Sequence, residues 1–309
     1  MNQKIVIPGG AGFVGRNLVE FLIEKGYDPD DIFVIDKDSQ RLEKISSMSV
    51  NTIKADLSKY GKWAENFSGA DIVVNLEAQI SSENYSDFKK NNVIATKNVI
   101  RAMKENGVDD IIHFSSAAVL SVRKDWYAET KKAGEDLVLK SGLNYFVIRP
   151  SVIYGPYDDK NVGWFANLAM KYPFFPIPGN GKYPRQPVYV GDICKIVEKM
   201  MGRIPENEIY SINGEVVYFD DMIKEIIKNI GRRAIIYVPL PLFKSLVFLY
   251  RKVDRNFKFT LDQLDSLTSG DVFDDFPWWK EFGVKRTKFS DGVRKMFERG
   301  IPKVKTVIV

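Results

Sequence analysis

"KIVIPGGAGFVGRNLVEFL", Lys4 to Leu22, leads from a short β-branched run through Gly9, Gly12 and Gly15 into a stretch with apolar residues at helical spacing. In a strand–turn–helix of this kind the glycines have separate tasks: a tight turn, close approach of backbone to a pyrophosphate, and close packing of helix on strand. The first turn of the helix then presents unpaired N–H groups and the positive end of its dipole to an anionic diphosphate. The pattern predicts a dinucleotide cradle. Asp36 closes the next β-branched run, about 20 residues on, where a carboxylate bonds both ribose hydroxyls of an adenosine and repels a 2′-phosphate. NAD is therefore the expected cofactor, in preference to NADP.

The alternation continues outward from this stretch. "IFVI" (Ile32 to Ile35), "DIVVN" (Asp71 to Asn75), "IIHF" (Ile111 to Phe114) and "YFVIR" (Tyr145 to Arg149) read as buried parallel strands. "RNLVEFLIEKG" and "NVIATKNVIRAMKENG" read as helices, each ending at a glycine, Gly26 and Gly107. Strand alternating with helix predicts an α/β fold, a doubly wound parallel sheet of Rossmann type. After Pro150 the texture changes. Residues 151–190 are rich in proline, glycine and aromatics and read as a loop-dominated, ligand-facing segment. "EIYSING" (Glu208 to Gly214) reads as a strand returning to the sheet, and "FDDMIKEIIKNIG" as an amphipathic helix with Asp220 or Asp221 in its first turn. The expected organisation is a dinucleotide domain over 1–150 and a smaller C-terminal domain over 151–309, mainly for substrate, with 186–214 returning to the first sheet.

Composition narrows the function. The 309 residues are 45% apolar and 28% charged, as in a soluble globular protein with a sizeable core. The 45 basic and 40 acidic side chains are intermixed, without the Lys/Arg block that nucleic acid requires. A single cysteine, Cys194, excludes an internal disulfide, and with a single histidine, His113, no Cys/His metal site is expected. No signal peptide or membrane span is expected: the N-terminal apolar stretch is short, and "LFKSLVFLY" (Leu242 to Tyr250) is interrupted by Lys244. A cytoplasmic protein is the expectation. His113, Cys194, Trp278 and Trp279 read as packing residues, and "PLPLFKSLVFLYRKV" as a packed helix.

Two stretches place a tyrosine four residues before a lysine: "YSDFK" (Tyr85, Lys89) and "WYAETK" (Tyr127, Lys131). With 14 tyrosines in a lysine-rich chain, spacing alone selects neither. Context favours Tyr127. It follows the "IIHFSS" strand end, the edge where doubly wound sheets bind ligands, so Ser115 and Ser116 border the crevice. Tyr127 and Lys131 share one face of the next helix. A phenol of pKa about 10 can serve as a base for alcohol oxidation when a cation at close range lowers it by about 1–3 units. A serine hydroxyl can steady the oxygen that loses its proton.

In the order "GGAGFVG", "ADL", "NLEA", "NNVIATKNV", "FSSAAV", "YAETKKAGE", "RPSVIYGP" and "PVYVGDI", the chain resembles the extended short-chain dehydrogenase/reductase family, in its nucleotide-sugar epimerase/dehydratase branch. The likeness covers nearly the whole chain. It implies that Gly9, Gly12, Phe13, Val14, Gly15, Asp36, Lys37, Asp56, Leu57, Leu76, Ala78, Asn92, Tyr127, Lys131 and Pro150 serve the cofactor, Asn92 by ordering the active-site helix. It implies Ser116, Tyr127 and Lys131 as the catalytic set, Arg149 and Pro150 at the nicotinamide end, and Ser116, Arg185, Tyr154 and Asn161 toward the sugar nucleotide. A homodimer through the helices after the fourth and fifth strands is implied as well.

The chain departs from that pattern at several points. Ala117, Ala118 and Val119 follow Ser116 where sugar dehydratases carry an Asp-Glu pair, and the loop to Tyr127 is short. Glu77 stands where a small residue is common. The second arginine of the nucleotide clamp has no counterpart around Asp262 to Asp275. The expected activity is NAD-dependent 4-epimerisation of a nucleotide-diphosphate sugar. A 4-keto-sugar reductase using exchangeable NAD(P)H, and a non-catalytic dinucleotide-binding subunit or sensor, remain as alternatives.

Overall fold

The structure, a computed structural model, describes residues 3–122, 125–204, 206–253, 259, 261–274 and 276–300. The first elements alternate: β1 (Ile5–Pro8), α1 (Phe13–Glu24), β2 (Ile32–Asp36), α2 (Ser39–Ser46), β3 (Asn51–Lys54), β4 (Ile72–Asn75), α3 (Tyr85–Phe88), α4 (Ala95–Glu105), β5 (Asp110–Phe114), α5 (Trp126–Leu139) and β6 (Asn144–Pro150). There follow β7 (Ile153–Tyr154), α6 (Val162–Lys171), β8 (Phe174–Pro178), β9 (Pro184–Arg185), β10 (Val188–Tyr189), α7 (Val190–Met201) and β11 (Glu208–Ile212). The last are β12 (Val217–Tyr218), α8 (Phe219–Ile230), β13 (Ala234–Val238), α9 (Leu240–Val253), α10 (Leu261–Ser269), α11 (Trp278–Glu281) and α12 (Phe289–Glu298).

Contact density divides the chain into two compact units. The first comprises Met1–Ser151, Val190–Ile212 and Asp275–Arg286. It holds a seven-stranded parallel sheet in the order β11-β6-β5-β4-β1-β2-β3. β1 and β4 are buried along their whole length, which is why they read as unbroken apolar runs. Ile5 pairs with Ile32 of β2 on one side and Ile72 of β4 on the other. Strand order therefore reverses at β1, and the crevice of a doubly wound sheet opens at the carboxyl ends of β1 and β4. The expected return strand is β11, parallel to β6. α1 packs beside α7, and α4 lies against α5 over a core that includes Phe67, Val99, Met103, Ile111 and Val147. α1 stops where Gly26, at φ +86°, turns its N–H back to Ile23 O. β3 was not expected. "NTIK" is a partly exposed edge strand with one isoleucine, so it lacks the apolar run by which the others are read.

The second unit comprises Val152–Tyr189, Asn213–Asp274 and Thr287–Val309. Its strands form three separate pairs, β7–β10 and β8–β13 parallel and β9–β12 antiparallel. α8 packs on α6 and α12, with Phe165 edge-on to both Phe175 and Phe219. Where loop was expected, 162–171 is helical. Asp158 starts that helix by accepting the N–H groups of Lys160, Asn161 and Gly163. No helix among the described residues is long and apolar enough to cross a membrane.

Candidate active site

The loop between β1 and α1 is built as a cradle. Gly9 has φ +72°, and a Cβ there would fall 2.6 Å from both N and Cα of Glu77, on the segment after β4. A Cβ on Gly15 would fall 2.1 Å from Gly10 O, so Gly15 lets α1 sit directly on the loop. At Gly12 the nearest atom would be 3.3 Å away, and its extended backbone leads into α1 without a side-chain cap. The first N–H groups of α1 are thus left for a ligand. Half-buried Phe13 and Val14 form that turn. Asp36 ends β2, one oxygen accepting Asp38 N–H at 3.0 Å. Lys37 Nζ bonds Asn91 Oδ1 at 2.8 Å. These features fit a dinucleotide: a narrow backbone cradle for a diphosphate and a carboxylate beyond it for a ribose.

Farther along the crevice, Asp56 is braced by Ser58, whose N–H and hydroxyl both donate to it. Leu76 is tied to β1 through its N–H to Pro8 O, and Ala78 is exposed. Leu57, expected at the cofactor, turns inward, and Asn92 orders the active-site helix as expected. Leu57 belongs to the core, and Asn92 is buried with its amide committed to protein: it accepts Gln79 N–H at 2.7 Å and donates to Gln79 O and Thr130 Oγ1. Asn92 is a positioning residue that ties α5 to the segment after β4. Gly134 makes the same junction possible, since a Cβ there would lie 2.4 Å from Asn92 O.

At the end of β5 the structure brings Ser116, Tyr127 and Lys131 together. Ser116 accepts Ala118 N–H at 3.1 Å, and its hydroxyl bonds the Tyr127 phenol. Lys131 is 2% exposed and donates from Nζ to Phe114 O at 2.6 Å. Burial pushes the Tyr127 phenol above its ordinary range; the Ser116 bond pulls it back and Asp125 adds to the rise. The Lys131 charge does not offset that burial, as the spacing suggested it would. Lys131 itself is pushed down to about 8 by burial, against the opposing charges of Glu77 and Glu135.

Beneath this group runs a network that the sequence reading missed. Arg149 binds the fully buried Glu135 through two bonds, Nε to Oε2 at 3.0 Å and Nη2 to Oε1 at 2.5 Å, and Ser115 Oγ adds a third at 2.7 Å. Burial alone would raise the Glu135 carboxyl; the Arg149 and Ser115 bonds hold it below the usual carboxylate range instead. Arg149, expected at the nicotinamide end, thus clamps α5 to β6, next to the buried Pro150. The available signal was Glu135 standing one turn after Lys131 on the same face. His113 is fully buried and shares a 3.1 Å bond with Asn75; burial, reinforced by the Lys131 charge, holds its imidazole well below the usual range.

Arg185, Tyr154 and Asn161 belong to the second unit. Tyr154 is fully buried, its hydroxyl 3.3 Å from Phe289 O and pressed against Gly292. It is a packing residue, not the substrate contact expected. Asn161 donates to Ile153 O at 3.2 Å. Arg185 lies on β9, where burial lowers its pKa and Asp271 opposes the shift. Among the described residues no cluster of histidine, cysteine or carboxylate side chains is arranged to hold a metal ion.

Comparison with known proteins adds four findings. Residues 5–213 match the NAD dependent epimerase/dehydratase family. A Methanocaldococcus jannaschii protein provisionally named UDP-glucose 4-epimerase is 26% identical over 259 residues, 74% of this chain and 83% of that one. The Arabidopsis thaliana 3beta-hydroxysteroid-dehydrogenase/decarboxylase isoform 1 is 28% identical over 288 residues, covering 79% and 65%. In fold, the chain superposes on the Thermotoga maritima UDP-glucose 4-epimerase crystallised with UDP-glucose, with a TM-score of 0.73 at 20% identity over 96% of this chain and 97% of that one.

Proposed function

The chain belongs to the NAD dependent epimerase/dehydratase family, and from that premise we propose that it interconverts C4 epimers of a nucleotide-diphosphate sugar through a transient 4-keto sugar. The observation that carries this reading is the meeting of Ser116, Tyr127 and Lys131 at the end of β5, in the same unit as the Gly9–Gly15 cradle. NAD, which supplies the hydride acceptor and donor, would be held by Gly9, Gly12, Gly15, Asp36, Lys37 and Asp56. Tyr127 takes the proton of the sugar's O4, and Ser116 hydrogen-bonds the same oxygen as charge develops. Lys131 holds the ribose, and its ammonium together with the positive charge of the nicotinamide would favour the phenolate at Tyr127. In this reading the second unit binds the sugar nucleotide, Arg185 taking the diphosphate and Asn161 lying nearby. A homodimer through α4 and α5 belongs to the same reading.

Ala117 and Ala118, where water elimination needs an acid–base pair, favour epimerisation over dehydration. The likeness to a named dehydrogenase favours a second reading, a 4-keto-sugar reductase with exchangeable NAD(P)H. Denaturing purified, undialysed protein and quantifying the released cofactor separates the two. Near-stoichiometric NAD is expected for an epimerase, which returns its hydride to the same sugar. Empty protein that binds added NADH reversibly would move the assignment to the reductase.

A further inference from the structure

α9, in the second unit, was expected to be a packed helix, and it packs on one side only. Among its described side chains Val247 alone is buried, with Phe243, Lys244 and Tyr250 half-buried. The packed side meets α10, where Lys244 Nζ lies 2.8 Å from Asp265 Oδ1. On the opposite side Leu242, Leu246 and Leu249 recur at i, i+4 and i+7, and they are 53%, 51% and 56% exposed. Phe248 lies beside them at 49%. A surface helix normally turns polar residues to water there. Single exposed leucines are ordinary; a stripe of them on one helical face marks an interaction surface.

We propose that α9 seats the protein on an anionic lipid surface, its leucine stripe entering the boundary between headgroups and acyl chains. Charge selects this occupant. The chain as a whole is nearly balanced, with 45 basic and 40 acidic side chains. From Leu240 to Lys258, however, the sequence holds five basic residues, Lys244, Arg251, Lys252, Arg255 and Lys258, against one acid, Asp254. Exposed Lys252 places its Nζ 4.5 Å from the centre of the Phe248 ring, so its ammonium accompanies the apolar stripe. Leucine and phenylalanine on one face with lysine and arginine alongside is the composition that binds anionic bilayers. The helix has 14 residues, about 21 Å of length against the about 30 Å of a hydrocarbon core, so it lies on the surface and does not cross. A second copy of the chain fits less well: two such helices face to face bring cations from both sides and no acid from either.

Flotation of the full chain with vesicles tests this, comparing phosphatidylcholine alone with phosphatidylcholine containing about one-third phosphatidylserine. Wild type is expected to bind the anionic vesicles about tenfold more tightly than the neutral ones, and to lose that preference in high salt. The double variant Leu246→Glu, Leu249→Glu is expected to bind the anionic vesicles at least about tenfold more weakly. Both leucines are exposed, so its melting temperature, NADH binding and oligomeric state should match wild type. Absence of flotation, equal flotation with both vesicles, or a double variant that floats like wild type overturns the proposal. A double variant that elutes as a smaller assembly gives the stripe to a second copy and overturns it too. Leu249→Cys carrying an environment-sensitive fluorophore supplies a reading that needs no charge in the stripe, since Cys194 is buried. A blue shift on adding anionic vesicles supports the proposal, and unchanged emission overturns it.

Discussion

Tyr85–Lys89 and Tyr127–Lys131 have the same spacing and lie in the same unit, but their surroundings differ. Tyr85 is 37% exposed on the four-residue α3, its hydroxyl 3.0 Å from Glu129 Oε1, and Lys89 is exposed one residue beyond that helix. Tyr127 meets Ser116 at the end of β5, and Lys131 is buried with its Nζ on Phe114 O. Four-residue spacing puts two side chains on one helical face; the strand that precedes the helix decides what that face meets. The first pair also braces the second. Tyr85 and Phe88 stand edge-on to Trp126, at 5.9 and 6.4 Å between ring centroids, immediately before Tyr127.

The comparison breaks most visibly in turnover. Tyr127→Phe is expected to lower turnover by about 10²–10⁴, the usual contribution of a positioned proton-transfer group. NADH binding should persist in that variant. Steady-state rates of the two Tyr→Phe variants, measured side by side, put the catalytic assignment at risk: equal losses would refute it.

Stability comes next, through Glu135→Gln. This change removes the charge of the fully buried Glu135 from the half-buried Arg149, and because Arg149 keeps some contact with water the cost is expected below the about 3–5 kcal/mol of breaking a fully buried pair, at about 2–3 kcal/mol. Urea unfolding of wild type and variant reads the loss. A cost below about 1 kcal/mol, typical of an exposed pair, would mean the clamp between α5 and β6 is not what supports Lys131. A smaller loss, about 1–3 kcal/mol, is expected for Gly134→Ala, whose new methyl meets Asn92 O. Because Asn92 positions α5, turnover should fall with it; full turnover at reduced stability would separate packing from positioning.

These experiments also mark how far the sequence could be read. Continuous apolar runs and spaced glycines exposed the sheet, the cradle and the Ser116–Tyr127–Lys131 group, because burial on both faces and close backbone approach restrict residue type strongly. β3 escaped because an edge strand need not be apolar. Leu57, Arg149 and Tyr154 were placed toward ligands and turned inward, since position in a motif does not specify which way a side chain packs. Glu135 stood in plain view in "YAETKKAGE", but its partner lies across the fold on β6. The helix at 162–171 was hidden by the prolines, glycines and aromatics that flank it.

The smallest effect is expected at Tyr85→Phe, and it sharpens the comparison best because the change is the same one atom as in Tyr127→Phe. The substituted ring would keep its place against Trp126, losing only an exposed bond to Glu129. Turnover should stay within about twofold, far from the loss expected of a proton-transfer group. Stability at neutral pH should match wild type within error. The sign at high pH follows from the phenol, which the Glu129 bond, then burial, holds above its ordinary value. The folded chain binds that proton more tightly than the unfolded chain, so any stabilisation is full below the ordinary tyrosine pKa and is lost as pH rises through the higher folded value. Melting curves of wild type and Tyr85→Phe should therefore converge above that range. Curves that diverge there would show that the Tyr85 hydroxyl has a further role in holding α5.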